Sequence, residues 1–181
     1  QRIGLFHGRP THGAPANTSE ATPALAQGFS GFENTLFSVA YPSSWTPATH
    51  SDALATCKCS LREQMFTGPL HEELLVGGMT AVPSDQLQSV IAEVVNATMQ
   101  GAPPQALASN VIKTYDHQTW IENDYTITQV YGSAAMQMQV RALAVDANAT
   151  TYIVLAIGPQ ASFASLNASV FEPALVSFRF Q

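Results

Sequence analysis

The chain has 181 residues, of which 46% are hydrophobic and only 11% are charged, and its formal net charge at pH 7 is −6. This length suits one domain, and the apolar content excludes a chain that is disordered throughout. The seven basic residues are scattered, which argues against nucleic-acid binding and against an anionic membrane surface, because both need clustered cations. No apolar run approaches the roughly 20 residues of a membrane span. A surface this poor in charge favours an extracytoplasmic location.

Residues 1–30 are rich in proline, glycine and small polar residues, without a sustained period. This composition predicts a flexible linker in front of a folded domain at 31–181. In the alternative, residues 1–7 pack on the domain. The sequence shows no initiator methionine, basic leader or cleavage site. We therefore expect a chain from which an export signal or membrane anchor was removed.

The first predicted strand is a β-branched and aromatic run at 36–41, which Pro42 stops because it cannot donate to a sheet ladder. A weaker candidate strand covers residues 53–61. A third covers 73–82, where Gly77 and Gly78 indicate a bulge or a close packing contact.

A helix is predicted next, with Ser84 or Asp85 as N-cap and Gln88 completing a capping box. Six residues at helical spacing form its apolar face: Leu87, Val90, Ile91, Val94, Val95 and Thr98. The opposite face carries no cations, so a helix laid across a sheet is favoured over a membrane-surface helix.

The second half of the chain is rich in predicted strands, at 111–115, 120–131, 134–146 and 151–157. Short turns join the last three and predict antiparallel hairpins. Alternation at 136–144 indicates a sheet with one covered face, whereas the continuous apolar run at 151–157 indicates a central strand. A final helix is predicted at 162–177, where Pro173 should kink or end it. The fold class is therefore α+β, an antiparallel sheet flanked by helices.

Two stretches resemble the PsbP-like α/β/α sandwich family. One is Phe-Ser-Val-Ala-Tyr-Pro-Ser-Ser-Trp at 37–45, and the other comprises residues 151–163 and 170–180 near the end of the chain. The family includes PsbP of photosystem II and bacterial lipoproteins such as LpqN. The resemblance covers residues 31–181 and implies the fold of a bacterial extracytoplasmic member. Its motifs are packing motifs, so it carries over no catalytic site.

Cys57 and Cys59 form the one unusual local motif. They are candidate ligands for a soft metal such as Cu(I), together with Met65, His50 or His71. On an extended strand their Cα atoms lie about 6.5–7 Å apart, so a disulfide would need a local turn. A metal site, a disulfide and free thiols all stay open. His71 also begins a His-Glu-Glu sequence, for which a solvated turn is favoured over a metal edge.

Two sets of carboxylates are close enough in sequence for acid–base pairing, namely Glu72 and Glu73, and Asp116, Glu122 and Asp124. They are interpreted as surface groups beside strands. Five aromatic residues are candidates for packing or for a pocket: Tyr41, Trp45, Trp120, Tyr125 and Tyr131. No nucleotide-binding or hydrolase motif occurs, and no cofactor is expected.

The leading functional hypothesis is a non-enzymatic binding or scaffolding domain, tethered outside a bacterial membrane by its N-terminal linker. The alternative is the ligand-sensing ectodomain of a membrane receptor, and a third hypothesis is a hydrolase. The partner, protein or small molecule, and the oligomeric state stay open.

Overall fold

A computed structural model describes residues 24–48, 61–99 and 102–181. Ten strands within these ranges form two antiparallel sheets. The strands are β1 (Phe29–Glu33), β2 (Phe37–Pro42), β3 (Thr46–Ala48), β4 (Arg62–Thr67), β5 (Glu73–Thr80), β6 (Gln105–Tyr115), β7 (Gln118–Tyr131), β8 (Ala134–Ala147), β9 (Thr150–Pro159) and β10 (Arg179–Phe180). The candidate strand at 53–61 lies, except for its last residue, outside the described residues.

The small sheet has the order β1-β2-β10, and the large sheet has the order β3-β4-β5-β9-β8-β7-β6. Strand β9 is central in the large sheet, and its residues 151–158 are all buried. A strand that is covered on both faces must be apolar on both faces. The interpretation of the apolar run at 151–157 as a central strand is therefore confirmed.

Two-residue turns join the long strands of the large sheet. Asn148 and Ala149 connect β8 to β9 with φ of 51° and 59°, and Gly132 has φ of 63° in the turn from β7 to β8. Asp116 and His117 connect β6 to β7 with φ of 45° and 63°. Positive φ at both central positions, as in the Asn148-Ala149 and Asp116-His117 turns, or at the first one, as at Gly132, is the geometry of hairpin turns whose twist matches that of the strands. The predicted hairpins of the second half are confirmed.

Helix α1 (Leu87–Thr98) lies across one face of the large sheet and buries Leu87, Ile91, Val94 and Val95. Its predicted N-cap is wrong. Ser84 and Asp85 lie in the turn before the helix, and the capping position is Gln86, which makes no side-chain cap hydrogen bond. The helix begins at Leu87, and Leu87 is also the first of its residues to be buried against the large sheet.

The C-terminal helix (residues 163–177) follows a 3-10 turn at Gln160–Ser162. It consists of α2 (Phe163–Leu166), a π-helical turn (Asn167–Phe171) and α3 (Glu172–Ser177). Pro173 does not end it, because Pro173 lies in the first turn of α3. In the preceding π turn, backbone hydrogen bonds join residues five apart and not four. This changes the position of the carbonyls that the proline ring would meet in a regular α-helix.

The large sheet separates two cores. One lies under α1, and the other lies between the sheet, the C-terminal helix and the small sheet. Strand β8 contributes to both, because Ala142 and Ala144 face α1 whereas Leu143 and Val145 belong to the second core. The alternation at 136–144 predicted a sheet that is covered on one face only. This prediction is wrong at Leu143, because the small sheet adds a layer on the second face. The arrangement is an α+β sandwich, as predicted.

The paired glycines of β5 allow close packing. The register of β4 and β5 is continuous through Gly77 and Gly78, so there is no bulge. A Cβ added to Gly77 would lie 2.8 Å from Cγ of Leu61. Of the two interpretations of this pair, the close contact is the right one.

Part of the predicted linker lies against the domain. Strand β1 begins at Phe29, and Leu25 lies close enough to Gly31 for its Cδ1 to be 3.5 Å from an added Cβ. Residues 1–23 are outside the described ranges. No helix in the described part of the chain is long and apolar enough to cross a membrane.

Candidate functional site

A partly open pocket of about 520 Å³ lies on the outer face of the small sheet. Residues 24–26 form one wall, and Pro173, Val176 and Ser177 at the end of the C-terminal helix form another. A volume of this size is in the range of sites for small ligands. Because both walls come from near the two ends of the described chain, only the folded domain brings them together.

Small residues make the floor of the pocket. Gly31 of β1 pairs directly with Ala40 of β2, and both line the cavity. Leu25 and Val176 line it too, yet they remain 51% and 55% exposed. Large apolar side chains that stay this exposed beside a cavity leave apolar surface for an incoming molecule to cover.

Polar residues form a row at one end of the pocket. Ser38 of β2 pairs with Glu33 of β1 on one side and with Arg179 of β10 on the other. All three line the cavity. Arg179 is already engaged, because its Nη1 lies 2.9 Å from Oδ2 of Asp116 and donates to two backbone carbonyls.

Ser177 joins the helical wall of the pocket to the small sheet. Its Oγ accepts a hydrogen bond of 2.7 Å from the backbone N–H of Ala40 and donates one of 2.6 Å to the carbonyl of Ala174. The hydroxyl therefore sets the distance between α3 and β2. Its proton and one of its lone pairs are used within the protein, which gives the hydroxyl a structural role.

A buried ionic cluster fastens the other end of the C-terminal helix to the large sheet. Arg141 of β8 donates from Nε and Nη2 to the two carboxylate oxygens of Asp124, both at 2.9 Å. Its Nη1 donates to Oδ1 of Asn167 at 2.9 Å, and Asn167 in turn donates to Glu172 at 3.0 Å. The guanidinium also lies over the ring of Phe163, 5.7 Å from its centroid. We call this set, with Glu122, the Arg141 network.

Glu122 is the buried acid of the Arg141 network. Its residue is 3% exposed, and its Oε1 lies 3.4 Å from Nε of Arg141. Among the described residues, its Oε2 has no hydrogen-bond partner, and neither does Nε1 of nearby Trp120. Burial raises the pKa of Glu122, although the charge of Arg141 acts in the opposite direction. Burial, followed by the charge of Glu122, raises the pKa of Tyr115 to about 12.

The interpretation of the carboxylates as surface groups is wrong for most of them. The side chains of Glu122 and Asp124 are 4% and 13% exposed. Glu72 is also buried, and its Oε2 accepts a hydrogen bond from the backbone N–H of Leu70. Burial raises the pKa of Glu73. Each acid lies on a strand or turn that a second layer covers, and the sequence of one strand does not show that layer.

Three of the five aromatic candidates, Tyr41, Trp45 and Trp120, contribute to the second core. Tyr41 stacks on Phe66 with centroids 4.2 Å apart. Trp45 packs edge-on against Phe171 at 6.2 Å, and Trp120 packs edge-on against Phe178 at 5.4 Å. None of the three is among the residues that line the pocket described above. The structure places them in packing positions.

His71 lies in the turn between β4 and β5 with φ of 66°. Its ring stacks on Tyr131, with centroids 3.8 Å apart. Met65, a further candidate ligand, is buried in the core under α1. In the described ranges, no group of three or more histidine, cysteine or acidic residues is placed to hold a metal ion. Cys57, Cys59 and His50 lie outside those ranges.

No protein-family model and no curated protein matches the sequence. The fold does match solved structures. The solution structure of cyanobacterial PsbP (CyanoP) from Synechocystis matches with a TM-score of 0.60 and 14% identity, covering 93% of this chain and all of that one. The chain has a PsbP-like fold. The family resemblance of residues 37–45 and of the C-terminal stretch is confirmed at the level of the fold.

Two further structures are similar over a comparable part of this chain. A crystal structure from Bacteroides thetaiotaomicron matches with a TM-score of 0.51 and 9% identity, over 80% of this chain and 45% of that chain. The crystal structure of LpqN, involved in cell envelope biogenesis of Mycobacterium tuberculosis, matches with a TM-score of 0.46 and 6% identity, over 80% of this chain and 83% of that chain. At 9% identity, the likeness to the Bacteroides structure concerns the fold alone.

Proposed function

We propose that the chain is a non-enzymatic binding domain that acts outside the bacterial cytoplasm and holds an apolar molecule in the pocket on the small sheet. The pocket carries this proposal. It has a ligand-sized volume of about 520 Å³, and the exposed side chains of Leu25 and Val176 stand at its rim. A molecule that covers these side chains gains the free energy of removing apolar surface from water.

Two of the polar groups that line the pocket, Ser177 and Arg179, are held by contacts within the protein. A nucleophile or acid–base group must have lone pairs or protons to offer to a substrate. Ser177 uses its hydroxyl in two intramolecular hydrogen bonds, and Arg179 is paired with Asp116. Both groups thus support the walls of the pocket.

The position of the pocket suits a tethered protein. Its wall at residues 24–26 belongs to the proline- and glycine-rich stretch, residues 1–30, that the composition predicts to be a linker. An anchor at the far end of that stretch would tether the domain through the segment that also lines the pocket. We therefore propose an extracytoplasmic, membrane-anchored location. Protease treatment of intact cells should degrade the product of the intact gene, and protection equal to that of a cytoplasmic marker would contradict this location.

Binding can be tested with the neutral apolar dye N-phenyl-1-naphthylamine, whose fluorescence rises in an apolar environment. Leu25→Ser at the rim should weaken its binding by about five- to tenfold, since part of a leucine's roughly 1.5–3 kcal/mol of burial is lost. Gly31→Leu should abolish binding by filling the floor. Leu107→Ser is the matched control, because Leu107 is a leucine of similar exposure, 55%, on the edge strand β6.

Circular dichroism and thermal unfolding of each variant will verify that the fold is intact. Failure of the unmodified protein to bind the dye at micromolar concentrations would contradict the proposal. So would equal weakening by Leu25→Ser and Leu107→Ser, because the dye would then be sampling scattered surface residues and not the pocket.

A second function, the ligand-sensing ectodomain of a membrane receptor, is favoured by one observation. The pocket lies between residues 24–26 and the helix end that carries Pro173, Val176 and Ser177, so a bound molecule contacts both ends of the domain. Ligand-dependent slowing of amide exchange in both segments would support a sensing role. Slowing confined to the floor strands β1 and β2 would support simple binding.

A further inference from the structure

We propose that the pocket selects amphiphilic molecules with a positively charged head group, and that Glu33 is the residue that sets this preference. The inference rests on the proposed binding function and names the chemical class of the ligand. Its basis is the charge that remains at the polar end of the pocket once the ion pairs among the described residues are made.

Of the two charged residues that line the pocket, one is already neutralised. The guanidinium of Arg179 lies 2.9 Å from the carboxylate of Asp116, and the same nitrogen donates to the carbonyls of Val176 and Phe178. The three acceptors all contact Nη1, so the donors of Nη2 and Nε are not used in these contacts. The carboxylate of Asp116 nevertheless offsets the charge of Arg179, so the net charge at this end of the pocket is that of Glu33.

Glu33, by contrast, offers an uncompensated carboxylate. It is an exposed residue at the end of β1, and none of the ion pairs formed within the described residues includes it. The net charge of the whole chain, −6, adds a weak field of the same sign. A cation at this end of the pocket is attracted, whereas an anion is repelled.

The geometry of β1 and β2 places the head group and the apolar chain of the ligand on the same face of the small sheet. Glu33 and Gly31 are two residues apart on β1, and their partners Ser38 and Ala40 are two residues apart on β2. Residues two apart on a strand point to the same face and lie about 6.6–6.8 Å apart. An ammonium group can thus meet the carboxylate of Glu33 and the hydroxyl of Ser38. The attached chain then lies over Gly31 and Ala40, towards Leu25.

The test compares two amphiphiles with the same twelve-carbon chain, dodecylammonium and dodecanoate, by calorimetric titration below their micellar concentrations. At low ionic strength the protein should bind dodecylammonium about two- to fivefold more tightly, the range of a solvent-accessible ion pair. The preference should shrink at 0.5 M salt, because exposed charges are screened.

Variants of Glu33 should change the preference between the two amphiphiles. Glu33→Gln should bring the ratio of the two affinities close to one, and Glu33→Lys should invert it. Asp85→Asn is the matched control, since it removes one negative charge from an exposed residue in the turn before α1, on the opposite side of the large sheet. It should leave the ratio unchanged.

The outcomes separate this inference from the proposed function. If neither the neutral dye nor either amphiphile binds, the binding function itself fails. If the dye binds but dodecanoate equals or exceeds dodecylammonium, the charge preference is wrong and the pocket stands. An equal loss of preference in Glu33→Gln and Asp85→Asn would assign the effect to net charge and refute the role of Glu33.

Discussion

Replacing Arg141 by methionine tests whether the Arg141 network holds the C-terminal helix to the sheet. Methionine keeps the unbranched stem of the side chain to about the position of Nε, but it removes the guanidinium, its contact with Phe163 and all four donated or ionic contacts. Asp124 loses two hydrogen bonds of 2.9 Å, Asn167 loses one, and Glu122 loses its only cation within 4 Å in the described structure. The substitution leaves two carboxylates of low exposure without a counter-charge.

The magnitude follows from this burial. Removing one partner of a buried ion pair typically costs about 3–5 kcal/mol, because the remaining charge is uncompensated. Since the side chains of Arg141, Asp124 and Glu122 are 16%, 13% and 4% exposed, solvent screens them little. For a domain of this size, 1 kcal/mol corresponds to roughly 2–4 °C in Tm. We therefore expect Arg141→Met to lower Tm by about 6–20 °C at pH 7.

The loss should depend on pH. Burial already raises the pKa of Glu122, and Arg141 opposes that rise, so removing Arg141 should raise this pKa further. A carboxyl whose pKa is higher in the folded state binds its proton more tightly there, so stability falls as pH rises from the unfolded value towards the folded one. The difference between Arg141→Met and the unmodified protein should therefore be largest above pH 7 and smaller near pH 4.5.

The assay is urea or thermal unfolding followed by circular dichroism, from pH 4.5 to 8. Arg179→Met is the matched control, because its ion pair with Asp116 is 36% and 40% exposed and should contribute about 0–1 kcal/mol. Adding Asp124→Asn to Arg141→Met should recover part of the loss. Equal destabilisation by the two arginine variants, or a difference that is constant across the pH range, would refute the reasoning.

Two further pairs of substitutions, each made of a test variant and its control, probe the hydrogen bond between α1 and the sheet and the close packing at β5. Gln88→Ala should cost about 1–3 kcal/mol in urea unfolding, because the buried amide of Asn123 donates to Gln88 at 2.8 Å and would lose its acceptor. Asp85→Ala should stay within about 0.5 kcal/mol, and a loss above 1 kcal/mol would restore it as the helix cap. Gly77→Ala should cost about 1–3 kcal/mol, since its Cβ would lie 2.8 Å from the nearest side-chain carbon. Gly31→Ala, where that distance is 3.5 Å, should be nearly neutral, and equal effects of the two alanines would contradict the packing argument.

The buried acids show where local interpretation fails. Trp120, Glu122 and Asp124 alternate along β7 and share one face of the strand. A buried tryptophan two residues before Glu122 was therefore a sequence signal that the acid faces the core. Its counter-charge, Arg141, is on the next strand, and Asn167 is on the C-terminal helix. No local pattern links residues that far apart.

By itself, the sequence determined the elements whose cause is local. Pro42 ends strand β2 because it lacks an N–H. The turn residues Gly132 and Asn148 permit positive φ. The continuous apolar run of β9 requires cover on both faces of the strand. These signals depend on covalent geometry and on the period of a strand or helix. Together they were sufficient for the α+β class.

Only the tertiary structure decided where the candidate site lies. The pocket exists because β10 pairs Arg179 with Ser38 and because residues 24–26 line the same cavity as the end of the C-terminal helix, contacts between parts of the chain that are far apart in sequence. Its floor is made of a glycine and an alanine, residues with no chemical signature of their own. The packed domain determines which layer covers each strand face. This cover decides that Glu122 is buried, that Arg179 is paired and that Glu33 is exposed.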